Sequence, residues 1–187
     1  MISRRHFIAA AAAAAVLPTL PAQAQGFQVA PKFAPQSVNF LANYAPGQIL
    51  IVPKAHFLYY ITAPGQALRY GVGVGKAGLE FTGTATISVK KEWPTWRPTN
   101  EMIEREPQSY SKFKDNDYVQ PGGPGNPLGA RALYLFQNGR DTYFRIHGTT
   151  APETIGRSVS NGCIRMLNEH VTDLYERIPI GTTVTVL

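Results

Sequence analysis

Cys163 is the one cysteine of the chain, set in Ser160-Asn161-Gly162-Cys163-Ile164-Arg165, and His147 stands sixteen positions before it in Arg145-Ile146-His147-Gly148-Thr149. A thiol attacks as its thiolate, and a neighbouring imidazole is the usual means of making one near neutral pH. A lone cysteine is more often an inert buried residue, so the argument rests on its context. Gly162 removes a side chain just before the sulfur and lets a substrate carbonyl approach. Backbone N–H groups at such a bend can converge on a developing oxyanion, each worth about 3 kcal/mol of transition-state stabilisation. Arg165 adds positive charge that favours thiolate, or ties down a loop through carbonyls. His147 lies where a strand gives way to a loop, a favoured place for active residues. No Asp or Asn stands close by to orient it, and a backbone carbonyl can do so. The expectation is an ionised sulfur beside an imidazole. His170 is the nearby rival base, expected to face solvent from a helix beyond Cys163. The Cys and His residues offer no pair at metal-ligand spacing. Gly71-Val72-Gly73-Val74-Gly75 lies on a strand edge with no helix after it, so it is not a phosphate loop. No metal and no organic cofactor is expected.

These residues need a scaffold, and the pattern around them is mainly β. Gln48–Val52, His56–Thr62, Ala67–Val74, Thr84–Val89, Leu133–Phe136, Tyr143–His147 and Thr182–Leu187 read as strands, and Asn138-Gly139 as a hairpin turn. A helix is expected over residues 169–177, capped by Asn168, with Val171, Leu174, Tyr175 and Ile178 on its core face. A short second helix is expected near Asn100–Glu106. The sum is a β-sandwich or barrel with a few short helices outside. Lys91–Gly129 is a long irregular stretch containing Trp93 and Trp96. A loop of that length in a compact domain is commonly functional. We read it as a lid or wall over a cleft, with Trp93 and Trp96 as candidate substrate-binding residues.

The N-terminus reads as an address. Arg4 and Arg5 precede an apolar run from Ile8 to Leu17, and Ala22-Gln23-Ala24 supplies small residues for cleavage. This is the layout of a cleavable twin-arginine-type signal over residues 1–24, which places the protein in the periplasm. The apolar run is too short for a permanent membrane span. Residues 25–47, rich in Pro, Gln and Asn from residue 26 on, read as an extended arm or linker, and 48–187 as the catalytic domain. The formal charge is +6, and loss of Arg4 and Arg5 with the signal leaves +4. That mild excess suits an anionic polymer such as a cell wall. No basic cluster with interleaved aromatics points to nucleic acid.

With His147-Gly148-Thr149, Gly156 and Ser160-Asn161-Gly162-Cys163-Ile164-Arg165-Met166 in view, residues 48–187 resemble the L,D-transpeptidase catalytic domain family (the YkuD fold). Tyr70-Gly71-Val72-Gly73-Val74-Gly75, Trp93-Pro94 and Asn126-Pro127-Leu128-Gly129 are similar as well. The family often has His before the Gly-Cys pair, where this chain has Asn161. The resemblance implies an L,D-transpeptidase-type β-sandwich acting on peptidoglycan stem peptides. It implies a thioester at Cys163 with release of D-alanine, then transfer to an amine of another stem or of a lipoprotein. Water as acceptor would make a carboxypeptidase, and loss of turnover a wall-binding scaffold. A cysteine peptidase of broader specificity is a further reading. The implied roles are His147 as base and acid, the Gly148 carbonyl as its orienter, Gly162 and Cys163 N–H groups as the oxyanion hole, and Ser160, Asn161 and Arg165 in the substrate pocket.

Overall fold

Alternating β-branched and aromatic residues build most of this molecule, because such side chains pack well on a pleated, half-buried surface. The computed structural model describes residues 27–187, so the expected signal at 1–24 lies outside the described residues. In chain order the elements are β1 (Gln36–Asn39), β2 (Ile49–Val52), β3 (Phe57–Ala63), β4 (Gln66–Gly71), β5 (Val74–Gly75), β6 (Gly83–Glu92), α1 (Asn100–Arg105), β7 (Arg131–Gln137), β8 (Arg140–His147), β9 (Ser158–Ser160), β10 (Ile164–Arg165), α2 (Asn168–Arg177) and β11 (Thr183–Val186). Nine strands form one sheet in the order β1-β4-β3-β2-β11-β6-β7-β8-β10, and β5 pairs with β9 separately. β11 joins the two halves, parallel to β2 and antiparallel to β6.

The sheet folds over on itself. Ile49, Ile51, Leu58 and Tyr70 from one half share a single core cluster with Leu133, Leu135, Ile146, Ile164 and Met166 from the other. A flat sheet cannot bring its distant strands into contact, whereas a twisted and coiled one closes into a sandwich. Val171 and Leu174 of α2 enter the same core, as the helical spacing required. Each such fully buried aliphatic side chain contributes about 1.5–3 kcal/mol. On the other face of β2, Leu50 packs with Ile61 and Ala67. Val38 and Phe40, in and just after β1, cover that cluster. The segment read as an arm therefore adds an edge strand, β1, antiparallel to β4.

Asn138 (φ 52°) and Gly139 (φ 73°) make the tight β7–β8 turn, both central residues left-handed as a type I′ turn requires. The Gly71–Gly75 run is spent on pairing: Val72 N–H donates to His56 O, Gly73 N–H to Arg165 O and Val74 N–H to Arg157 O, at 2.9–3.0 Å. A Cβ on Gly73 would sit 2.5 Å from the Thr154 carbonyl oxygen, so close backbone approach explains that glycine.

The stretch between β6 and β7 is ordered around a core of its own. Phe113 is buried, with Trp96 edge-on at 5.2 Å. The Arg97 guanidinium donates to the carbonyls of Tyr118, Phe113 and Asn116 at 2.7, 2.9 and 2.5 Å. α1 starts where Thr99 Oγ1 accepts the Met102 N–H at 3.3 Å. Two sequence expectations change in α2. Asn168 does not cap it, and its side chain reaches away to residues 130 and 149. His170, expected in solvent, is buried at 6% exposure because it packs towards Tyr70, ring centroids 6.2 Å apart.

Candidate active site

β10 runs parallel to β8, with Ile164 against Ile146 and Arg165 against His147. Partners in a ladder share a face and alternate residues return to it. Ile146 and Ile164 therefore go to the core, while His147 and Arg165 share the opposite face. Cys163 stands one step before β10, level with Arg145, and diagonal neighbours of this kind lie within side-chain reach. The charges of Arg145 and Arg165 act on both the His147 ring and the Cys163 sulfur, so the four groups form one cluster. The Met166 N–H closes the strand ends by donating to His147 O at 2.8 Å.

His147 is buried at 4% exposure, and its Nδ1 lies 2.5 Å from the Gly148 carbonyl oxygen. A carbonyl only accepts, so Nδ1 carries the proton and Nε2 keeps a free lone pair. Burial lowers its pKa to about 4; the Gly148 bond opposes this, and Arg165 and Arg145 add to it. The ring is thus a neutral base at neutral pH. Gly148 is braced in turn. A Cβ there would collide with Asn168 Oδ1, which accepts the Ala130 N–H at 2.9 Å while Asn168 Nδ2 donates to Thr149 O at 3.2 Å. Asn168, expected as a helix cap, instead ties down the segment that follows His147.

Cys163 is partly exposed. Gly162 before it has φ 120°, and a Cβ there would lie 2.5 Å from the Phe144 ring and 2.6 Å from Leu79 O. Buried Ser160 knits the bend: its Oγ donates to Cys163 O at 2.6 Å and accepts the Gly162 N–H at 3.1 Å. The Gly162 N–H, expected to serve an oxyanion hole, is bonded to Ser160 Oγ, whereas no bond to the Cys163 N–H occurs among the described residues. The sulfur lies 3.9 Å from the Tyr143 carbonyl oxygen. Burial raises the thiol pKa; an Arg145 backbone hydrogen bond and the charges of Arg145 and Arg165 lower it, and Asp141 raises it. With the thiol up and the imidazole down, the resting pair is neutral, not the ionised sulfur expected from sequence.

The Arg165 backbone bonds Gly73 in both directions, at 2.9 and 2.8 Å. Among the described residues no carboxylate lies within 4.0 Å of its guanidinium. Arg145 differs, being closed on Asp141 by two contacts of 2.7 Å. Asn161 Nδ2 donates to the Tyr110 hydroxyl at 3.0 Å, and its Oδ1 is buried without a partner. Tyr110 belongs to the long ordered stretch, whose Glu106 also pairs with Lys76 at 3.2 Å. The expected lid is thus fastened beside the Cys163 loop. Trp96 reaches the site only through Tyr110, 6.0 Å between rings. Trp93, 45% exposed, begins the stretch with φ 41° and is not bonded to Cys163 or His147. His170 neighbours Tyr70 and Glu169 and makes no contact with the thiol. Among the described residues no three His, Cys, Asp or Glu side chains form a group that could hold a metal ion.

The family model described as "YkuD: L,D-transpeptidase catalytic domain" matches residues 46–186. A Bacillus subtilis (strain 168) protein, "Putative L,D-transpeptidase YkuD", is 46% identical over 152 residues, 78% of either chain. A solved Brucella melitensis structure named "Probable carnitine operon oxidoreductase caia" is 59% identical with a TM-score of 0.57, over 85% of this chain and 96% of that one. The solved L,D-transpeptidase from Mycobacterium smegmatis shares the fold at 20% identity and a TM-score of 0.52, over 75% of this chain and 58% of that one. The chain spans about half the length of the Escherichia coli relatives it matches.

Proposed function

The chain belongs to the L,D-transpeptidase catalytic domain family, and on that premise we propose that it is an exported cysteine acyltransferase of peptidoglycan stem peptides. The observation that carries this reading is the neutral imidazole of His147, its Nδ1–H held by the Gly148 carbonyl, on the strand beside Cys163. His147 Nε2 takes the thiol proton as the sulfur attacks the carbonyl joining the L-centred residue to terminal D-alanine. The Cys163 N–H faces the developing oxyanion. The C–N bond breaks, His147 returns the proton to the departing D-alanine amine, and a thioester remains. An incoming amine then attacks the thioester and expels the thiol, which regains its proton through His147. The energy of one peptide bond is kept in the thioester, so a second bond forms without ATP. Arg165, with no carboxylate partner among the described residues, suits a stem-peptide carboxylate.

The signal over residues 1–24 supports action in the periplasm, and no helix of the described residues is long and apolar enough to cross a membrane. The acceptor is the amine of a second stem or of a lipoprotein lysine. Oxidoreductase, the name carried by the Brucella protein, finds no support in the Gly71–Gly75 run, whose N–H groups at 72–74 are bonded within the fold. The test is incubation of the protein with purified stem tetrapeptides, followed by mass analysis. Dimers or exchanged D-amino acids are expected, and none from Cys163→Ala. Products confined to trimmed tripeptides would point to water as acceptor. Absence of any product would refute the reading.

A further inference from the structure

β8 is interrupted just before its catalytic end. Tyr134 faces Arg145 and Phe136 faces Asp141, so Leu135 alone is opposed by Thr142, Tyr143 and Phe144. Such a bulge bends a strand and re-aims its groups, and bulges concentrate beside active sites. Tyr143 holds the left-handed conformation, φ 61°, with 71% of the residue exposed. That conformation costs a bulky residue on the order of 1 kcal/mol or more, and so little burial does not offset it.

The neighbours over-determine the strained turn. Asp141 Oδ1 accepts the Tyr143 N–H at 2.8 Å. Thr142 Oγ1 donates to Leu135 O at 2.6 Å and accepts the Phe144 N–H at 3.2 Å. Arg145 clasps Asp141 from above the Tyr134 ring, 4.0 Å from its centroid. One backbone group reaches the nucleophile as a result: the Tyr143 carbonyl oxygen lies 3.9 Å from Cys163 Sγ. The Phe144 ring lies against Gly162.

We propose that this bulge is the cradle of the nucleophile, with Thr142 and Tyr143 as positioning residues that hold a backbone acceptor on the sulfur. The inference rests on Cys163 being the nucleophile of the proposed reaction. In the resting state the Tyr143 carbonyl orients the S–H. The charged and titratable groups around the sulfur are His147, Arg145 and Asp141 from β8 and Arg165 from β10. Substitutions at Thr142 and Tyr143 leave all four in place, which isolates the geometry from the electrostatics.

The experiment measures the rate of Cys163 alkylation by iodoacetamide against pH in the full chain, with circular dichroism to establish folding. Tyr143→Gly adopts the left-handed conformation without strain, and Thr142→Ser keeps the hydroxyl; both are expected to retain the wild-type profile. Tyr143→Val resists that conformation and Thr142→Val loses the hydroxyl. Loss of the carbonyl acceptor removes a bond that favours the S–H form, so each is expected to move the midpoint downward by about one pH unit, with alkylation about tenfold faster at neutral pH. If Tyr143→Val does not fold, Thr142→Val carries the test. Folded valine variants with the wild-type profile would overturn the proposal, as would Tyr143→Gly shifting as far as Tyr143→Val. Acyl transfer surviving in Cys163→Ala would overturn both the nucleophile and its cradle. Unchanged profiles together with an inactive Cys163→Ala would overturn the cradle alone.

Discussion

Acidification should destabilise this protein through His147 before most carboxylates titrate. The ring is buried, its Nδ1 proton is committed to the Gly148 carbonyl, and two guanidinium groups stand near it. A second proton on Nε2 would add a positive charge beside Arg165, and among the described residues neither pairs with a carboxylate. In the unfolded chain the ring takes up that proton near 6.5, but in the folded protein only near 4. Between those values the unfolded state binds more protons, so the stabilisation present above 6.5 is lost as pH falls towards 4. At about 1.4 kcal/mol per pH unit, the interval from 6.5 to about 4 amounts to roughly 3 kcal/mol. His56 and His170 are lowered as well, so the measurement must be differential. Urea unfolding of wild type and His147→Gln at pH 7, 6, 5 and 4 should show wild type losing about 3 kcal/mol more than the variant across that range. Parallel stability profiles would refute the buried neutral ring. In the proposed reaction the same ring should let acyl transfer persist at pH 5, where an imidazole titrating at 6.5 would be largely protonated.

Two further outcomes follow from the loop geometry. Ser160→Ala strands the Cys163 carbonyl and the Gly162 N–H, at a cost of about 1–3 kcal/mol for each unsatisfied buried group. Thermal unfolding should fall by several degrees, with Ser160→Thr recovering most of the loss. Asn168→Ala releases the Ala130 N–H and the Thr149 carbonyl that pack beside Gly148. Acyl transfer should fall about tenfold or more through misplacement of the base, with a smaller change in substrate KM; wild-type turnover would remove Asn168 from the mechanism.

Strands with clear alternation were legible because burial on one face leaves a period of two. Leu133–Leu135 follows that rule, Ile49–Val52 stood out instead as a short apolar run buried on both faces, and the Asn138-Gly139 turn declares its own backbone geometry. Cys163 and His147 stood out through residue type and through resemblance. What escaped belongs to tertiary structure. β10 has two residues, too few for any periodic signal, yet it sets the level of Cys163 against β8. The bulge at 142–144 contains no glycine to announce a left-handed residue. The Ser160 hydroxyl competes for the Gly162 N–H at a distance that only folding defines. Neutrality of the thiol–imidazole pair comes from burial, and residue identities alone do not report it. His170 was misread because Tyr70, a hundred residues earlier, takes up its space.

The position of β11 between β2 and β6 has a consequence for biogenesis. Residues 183–186 emerge from the ribosome after β1 to β10, yet they fill the middle place of the nine-stranded sheet. Until they arrive, β2 and β6 each present an unsatisfied edge, and the two halves have no shared strand to align them. Synthesis and maturation are thus separated in time, and until β11 is made the nascent chain passes through an adhesive interval.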